Sequence, residues 1–289
     1  MDSNKSLKIK DIIFMFLPLI IVVVIQYAVN IFDVLIIFIS NLLSDEKTVR
    51  VRTIETIMSD AYNQPMNAAY MTLARYILYI LIFGIWLYRI SAASERKSIV
   101  RHPAISTAAL LVAAGWTGQI FVDSILTLVR PYFPLTFKNY DKLTTNVTGA
   151  GSSWVLLLAV FVAAPIGEEL LFRGLLQKYI NNFFDKVFTK YVPICTILTQ
   201  ALLFALYHGN IIQGIYAFIM GIFLGWLAFR FDSLIPGILF HISINTSILL
   251  IPKIFFATTI ATIISGVLCF AAFLLFISLI YRTNDIRNT

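Results

Sequence analysis

Few residues in this chain can do chemistry, and they lie in three places. The segment Ala164-Pro165-Ile166-Gly167-Glu168-Glu169-Leu170-Leu171-Phe172-Arg173-Gly174 sets two carboxylates and a guanidinium in apolar surroundings. His208 stands four residues after Phe204, and Asn245 stands four residues after His241. Ionisable side chains inside apolar spans are costly and tend to mark function. On a helix, Glu169 and Arg173 are four apart with the acid first, the favourable order for an ion pair. Glu168 is rotated about 100° from Glu169 and is left without that partner. The segment therefore reads as a structural pair, Glu169 with Arg173, beside a functional carboxylate, Glu168. The plainer alternative is a helix near the membrane interface whose charges reach out to water. A lone histidine in an apolar helix is usually a packing residue, but a glutamate, two histidines and an asparagine in one small region ask for more. The third histidine, His102, follows a basic run and reads as a solvent or headgroup residue.

A carboxylate, two imidazoles and an amide supply what amide hydrolysis needs. Glu168 can take a proton from water as general base, with His208 holding that water. His241 and Asn245 can donate to the oxyanion that develops on a scissile carbonyl. Alternatively His208, His241 and Glu168 ligate zinc, whose bound water becomes the nucleophile. Of the two, the glutamate-activated water is favoured: zinc would spend Glu168, the evident general base, as a ligand. No serine-hydrolase elbow and no H-E-x-x-H spacing is present.

The elements that position these groups must be membrane helices. The chain is 59% hydrophobic and 13% charged, against about 45–50% and about 25% for a soluble domain. The net charge of +7 comes from short basic clusters between apolar runs, a pattern of topology signals and headgroup contact that excludes nucleic acid as the natural partner. About 20 apolar residues cross a bilayer, and eight stretches qualify: 12–43, 66–90, 105–129, 153–179, 187–207, 211–231, 234–251 and 254–281. The expectation is an all-α polytopic bundle of about eight transmembrane helices in one domain, 1–289, with an intramembrane catalytic cavity. Polar connections are expected over 44–65 and 130–151. With the N-terminus inside, the inner side holds more Lys and Arg (Lys5, Lys8, Lys10, Arg96, Lys97, Lys178, Lys186 and Arg282 among them) than the outer side (Lys47, Arg50, Arg52, Arg130, Lys138, Lys142, Lys253). Both termini are therefore expected in the cytoplasm. Cys195 and Cys269 have no metal-ligand or redox spacing and read as reduced packing residues. Gln26, Asn30, Asp33, Arg75, Gln119, Asp123 and Gln200 are expected to join helices by hydrogen bonds or ion pairs. In a simple eight-span arrangement Glu168 and His208 would sit at different depths. A break is therefore expected at Pro165-Ile166-Gly167 or at His208-Gly209-Asn210, or else the span limits must shift.

Three motifs here, E-E-x-x-x-R from Glu168 to Arg173, F-x-x-x-H from Phe204 to His208 and H-x-x-x-N from His241 to Asn245, occur in the order found in the CPBP intramembrane proteases. The chain resembles that family, which includes the CAAX prenyl endopeptidases and bacterial Abi-type relatives. The resemblance covers about 155 to 250, so 151–251 reads as the catalytic core. The region 1–150 carries no matched motif, and 252–289 holds the last span and tail. By resemblance Glu168 is the catalytic carboxylate, His208 its water-holding partner and His241 with Asn245 the oxyanion pair, with Glu169, Arg173 and Phe204 in support. The resemblance implies a membrane hydrolase, an intramembrane endopeptidase of glutamate or metallo type, acting on a membrane-associated peptide or protein. Zinc is a possible cofactor by the same resemblance, and the lipid bilayer is a partner. The prenylated substrate of the eponymous enzymes does not transfer, and the compact chain points to a bacterial plasma membrane. Two other classes compete. A transporter would use intramembrane Glu and His as an ion path, but it predicts two similar halves with paired broken helices, and no internal repeat is visible. A noncatalytic peptide-binding scaffold or immunity protein would use the same cavity without turnover.

Overall fold

The computed structural model describes residues 7–43, 65–92, 102–148, 153–188, 190–250 and 253–283. The expected basic run before His102 and nearly all of the connection expected over 44–65 lie outside these residues. The described chain is helical with no strand: α1 (Ile9–Leu43), α2 (Pro65–Ala92), α3 (Ile105–Val129), α4 (Pro134–Thr148), α5 (Trp154–Val187), α6 (Val192–Tyr207), α7 (Ile211–Phe231), α8 (Ile235–Leu250) and α9 (Thr259–Arg282). Six of them, α1, α2, α3, α5, α7 and α9, are long and apolar enough to cross a membrane. The protein is thus an all-α polytopic membrane protein. The eight expected spans become six long helices and two short ones, because α6 and α8 have 16 residues each and reach only about 24 Å.

Local chemistry sets the ends that matter. Ser153 caps α5 by accepting from the Leu156 N–H at 3.2 Å. Between α6 and α7, Gly209 adopts φ +64 with open space around it, and Asn210 caps α7 by accepting from the Gln213 N–H at 3.1 Å. His208-Gly209-Asn210 is therefore a break, as expected. Pro165-Ile166-Gly167 is not: α5 continues through it, accommodated by π-helical turns over Ala159–Ala163 and Leu170–Leu176. The stretch expected to be only a polar connection, 130–151, contains α4. Its Phe137 and Tyr140 bury against Ile212 at the start of α7, and Arg130 pairs with Asp141 at 2.9 Å. Burial, reinforced by the nearby Asp123 charge, pushes the Tyr140 hydroxyl up to about 12.

The depth mismatch disappears because α5 runs beyond its expected end at Tyr179 to Val187 and α6 begins only at Val192. Glu168 then stands about 28 Å above the α5–α6 turn and His208 about 24 Å above it, one level within a helical turn. Along α5, Arg173 and Gln177 contact Gly221 and Gly225 of α7 in the same chain direction, so the two helices are parallel. Asp11 of α1 pairs with Lys186 at the end of α5 at 2.8 Å. Arg230 at the end of α7 donates to the Tyr281 and Thr283 carbonyls at the end of α9. The start of α1 and the ends of α5, α7 and α9 therefore share one side of the bundle.

Two apolar clusters meet across α7 and α8. One joins α1, α2 and α5 through Val22, Ile25, Tyr79, Phe83, Leu171 and Leu175. The other joins α3, α7, α8 and α9 through Leu111, Leu224, Phe240 and Ile280. Lipid tails are as apolar as leucine, so close backbone approach has to supply much of the attraction between helices. On α3, Gly115 faces α8, whose Ser243 hydroxyl donates to the Val112 carbonyl at 2.6 Å. A Cβ at Gly115 would fall 2.6 Å from Ser243 Oγ and 2.9 Å from the Phe240 carbonyl oxygen. Gly115→Ala is accordingly expected to push α3 from α8 and lower stability by about 1–3 kcal/mol. Gly84→Ala, whose Cβ meets nothing nearer than 4.0 Å, is the control. Thermal unfolding in detergent checks both, and equal midpoints for the two variants would contradict this packing.

Candidate active site

Glu168, Glu169, Arg173, Phe204 and His241 converge on one buried place between α5, α6 and α8, with His208 and Asn245 half-buried beside it. Glu168 and His241 each keep 6% of their exposure and Glu169 keeps none, so the group is nearly sealed from its surroundings. The Glu169–Arg173 pair forms as expected, with Nη1 2.8 Å from Oε1. The same Oε1 also lies 3.0 Å from His241 Nδ1. Glu169 therefore serves two partners and ties the ion pair to the imidazole. Glycine makes this possible: a Cβ at Gly237, one turn before His241, would fall 2.9 Å from Glu169 Oε2.

Arg173 is held on its other sides as well. Its guanidinium lies over the Phe204 ring at 4.4 Å, an attraction strengthened by exclusion of water. Its Nη2 is 3.4 Å from the Gly221 carbonyl oxygen, which also accepts from Gln200 Nε2 at 2.7 Å. Gln177 Nε2 donates to the Gly225 carbonyl at 3.1 Å. The Phe204 ring centroid lies 4.6 Å from that of His208 and 5.9 Å from that of His241, both at right angles, so one ring spaces the two imidazoles.

Proton positions on the imidazoles follow from their partners. His208 Nδ1 faces the Phe204 carbonyl oxygen at 2.8 Å, and His241 Nδ1 faces the Glu169 carboxylate. Both oxygens only accept, so both Nδ1 atoms carry hydrogen. In each neutral ring Nε2 is then a bare acceptor. His241 Nε2 is 3.7 Å from Glu168 Oε2, too far for a direct hydrogen bond and a spacing that a bridging water suits.

Asn245 has a task not visible in the sequence. Its Nδ2 donates to the Val160 carbonyl at 3.1 Å. In the π-helical turn the Ala164 N–H bonds to the Ala159 carbonyl, and the next donor in register would be residue 165, a proline without an N–H. Asn245 thus satisfies the carbonyl that Pro165 leaves unpaired and fastens α8 to α5.

Sequence reasoning missed Tyr76 of α2, whose hydroxyl is 3.0 Å from Glu168 Oε1, and its neighbour Tyr207 of α6. Nothing distinguishes Tyr76 among 13 tyrosines; Tyr207 could have been suspected from its place before His208. Among the polar residues expected to join helices, Arg75 Nη2 bonds Asn30 at 3.2 Å and Gln200 bonds Gly221. Gln119 instead bonds Asp123 on its own helix at 2.9 Å. An apolar groove of about 980 Å³ lies between α3, α7 and α9, and Glu168, His208 and His241 do not line it. Among the described residues no three His, Cys, Asp or Glu side chains converge to hold a metal ion. The possible zinc set of His208, His241 and Glu168 is therefore not assembled in this structure.

Breaking a buried pair costs about 3–5 kcal/mol, so Glu169→Gln and Arg173→Ala are each expected to lower the melting midpoint and expression. Glu169→Gln should cut turnover more than Arg173→Ala among surviving protein, because it alone weakens the His241 anchor. Parallel melting and turnover measurements on both variants check this, and unchanged midpoints in both would contradict it. Residues 150–247 match the family model described as type II CAAX prenyl endopeptidase Rce1-like. No match was found among curated proteins or among solved structures.

Proposed function

We propose that this chain is a member of the CPBP family of intramembrane proteases, which its residues 150–247 resemble, and that Glu168 activates water to cleave a peptide bond of a membrane-associated substrate. Intramembrane endopeptidase activity in general is what the family match supports; the division of labour that follows is the proposal. The observation that carries it is the 3.7 Å spacing between Glu168 Oε2 and His241 Nε2, inside a nearly sealed polar centre. A water between these atoms donates one hydrogen to Glu168 Oε2 and accepts one from His241 Nε2 when that ring is protonated. Glu168 takes one of its protons as the oxygen attacks the scissile carbonyl, and His208 Nε2 accepts a hydrogen bond from the other. The proton on Glu168 then passes to the leaving amine, which restores the carboxylate.

The oxyanion needs donors. Neutral His241 has none to offer from Nε2, because its one hydrogen is committed to Glu169. Its protonated form does, with Nδ1 3.0 Å from Glu169 Oε1 and Nε2 3.7 Å from Glu168 Oε2. Asn245 contributes its second N–H, the first being held by Val160. The chain acts with both termini in the cytoplasm, in a bacterial plasma membrane, on a substrate whose sequence the site does not specify.

Glu168→Gln and His208→Ala should each abolish cleavage of a membrane peptide by detergent-purified protein while leaving insertion and melting unchanged. Retention of a tenth of the wild-type rate in both would overturn the assignment. Zinc analysis of active protein before and after a strong chelator tests the mechanism separately. The expected result is activity independent of zinc; stoichiometric zinc whose removal abolishes turnover and whose return restores it would instead make His208, His241 and Glu168 its ligands.

A further inference from the structure

The polar centre is closed by a residue from outside the matched core. Tyr76 lies on α2, and its hydroxyl stands 3.0 Å from Glu168 Oε1. A carboxylate only accepts, so the phenol donates, and this is a charge-assisted bond. The close approach is built into both helices. A Cβ at Gly167, the residue before Glu168, would fall 3.3 Å from Tyr76 Cδ1 and 3.4 Å from Tyr79 Cβ. Tyr79 in turn meets Tyr76 edge to face, with ring centroids 5.6 Å apart, which limits where the phenol can swing.

A glutamate carboxylate turns about a soft terminal torsion, and its two oxygens are chemically alike. Something must decide which oxygen faces the water. We propose that Tyr76 is a positioning residue for Glu168: its hydrogen bond holds Oε1 and thereby presents Oε2 to His241 Nε2. The inference rests on the reading of Glu168 as general base. It assigns a role in turnover to α2, in the half of the chain that carries no catalytic motif. A bond that merely joined α2 to α5 would contribute to stability alone.

The test is steady-state kinetics on a membrane peptide in detergent. Tyr76→Phe removes one oxygen and keeps the ring; kcat is expected to fall about 30-fold with KM within a factor of about two, as for loss of a hydrogen bond to a charged group. Placing p-aminophenylalanine at 76 restores a donor at the same position and should return kcat to within about threefold of wild type. A wild-type kcat in Tyr76→Phe, or a rise in KM at constant kcat, overturns the inference. If Tyr76→Phe fails to accumulate, the p-aminophenylalanine variant decides, a loss of more than tenfold overturning the proposal. An active Glu168→Gln enzyme would instead refute the general-base reading beneath it, so the two failures are distinguishable.

Discussion

A single carboxylate oxygen, Glu169 Oε1, holds the centre of this protein together. It receives the Arg173 guanidinium at 2.8 Å and the His241 imidazole at 3.0 Å, in a place without access to water. Two charges there cannot be left unpaired, because each alone would bear the full cost of leaving water. Every nearby element is arranged to respect this. Phe204 covers the guanidinium, α7 offers the carbonyls of Gly221 and Gly225, and Gly237 leaves room for the second oxygen of Glu169. Once Glu169 is anchored, the neighbouring Glu168 is turned about 100° away by helix geometry, into the gap in front of His241. The adjacency of the two acids thus separates an anchoring carboxylate from a reactive one.

A backbone irregularity supports the same centre. Pro165 removes an N–H from α5 just before the acidic pair, and a π-helical turn absorbs the mismatch. The carbonyl left over at Val160 would be expensive in an apolar setting, and Asn245 supplies its donor. Single π turns inside helices recur at functional sites because they re-aim side chains. Here the π turns of α5 lie on either side of Glu168 and Glu169. The amide that satisfies the defect sits one helical turn from His241, so α5 and α8 are registered at two points, Val160 with Asn245 and Glu169 with His241.

The outer layers of the bundle are built differently. Between α3 and α8 the approach depends on Gly115 and on the Ser243 hydroxyl reaching the Val112 carbonyl. α9 packs on α3, touches α7 through Phe273 and Phe223, and turns Ile263, Val267 and Leu275 outward. These contacts hold α8 against α5 from behind. The apolar groove between α3, α7 and α9 opens on this lipid-facing side, away from the carboxylates.

Much of the protein was written in the chain itself. Low charge and long apolar runs require membrane helices, since backbone groups in lipid must be satisfied within their own segment. The four-residue spacings Glu169 to Arg173, Phe204 to His208 and His241 to Asn245 are local consequences of the helical repeat, so the ion pair and the grouping on each helix could be read one helix at a time. What lies between helices could not. Hydropathy does not register where a buried helix stops, so α5 was expected to end at Tyr179, and the level of His208 beside Glu168 came only from its extension to Val187. The unpaired Val160 carbonyl depends on how a π turn resolves a proline. The double use of Glu169 and the contact of Tyr76 with Glu168 depend on which faces of separate helices meet. Those partners are 72 and 92 residues apart in the chain, and only close packing of α2, α5 and α8 selects them from many equivalent apolar neighbours.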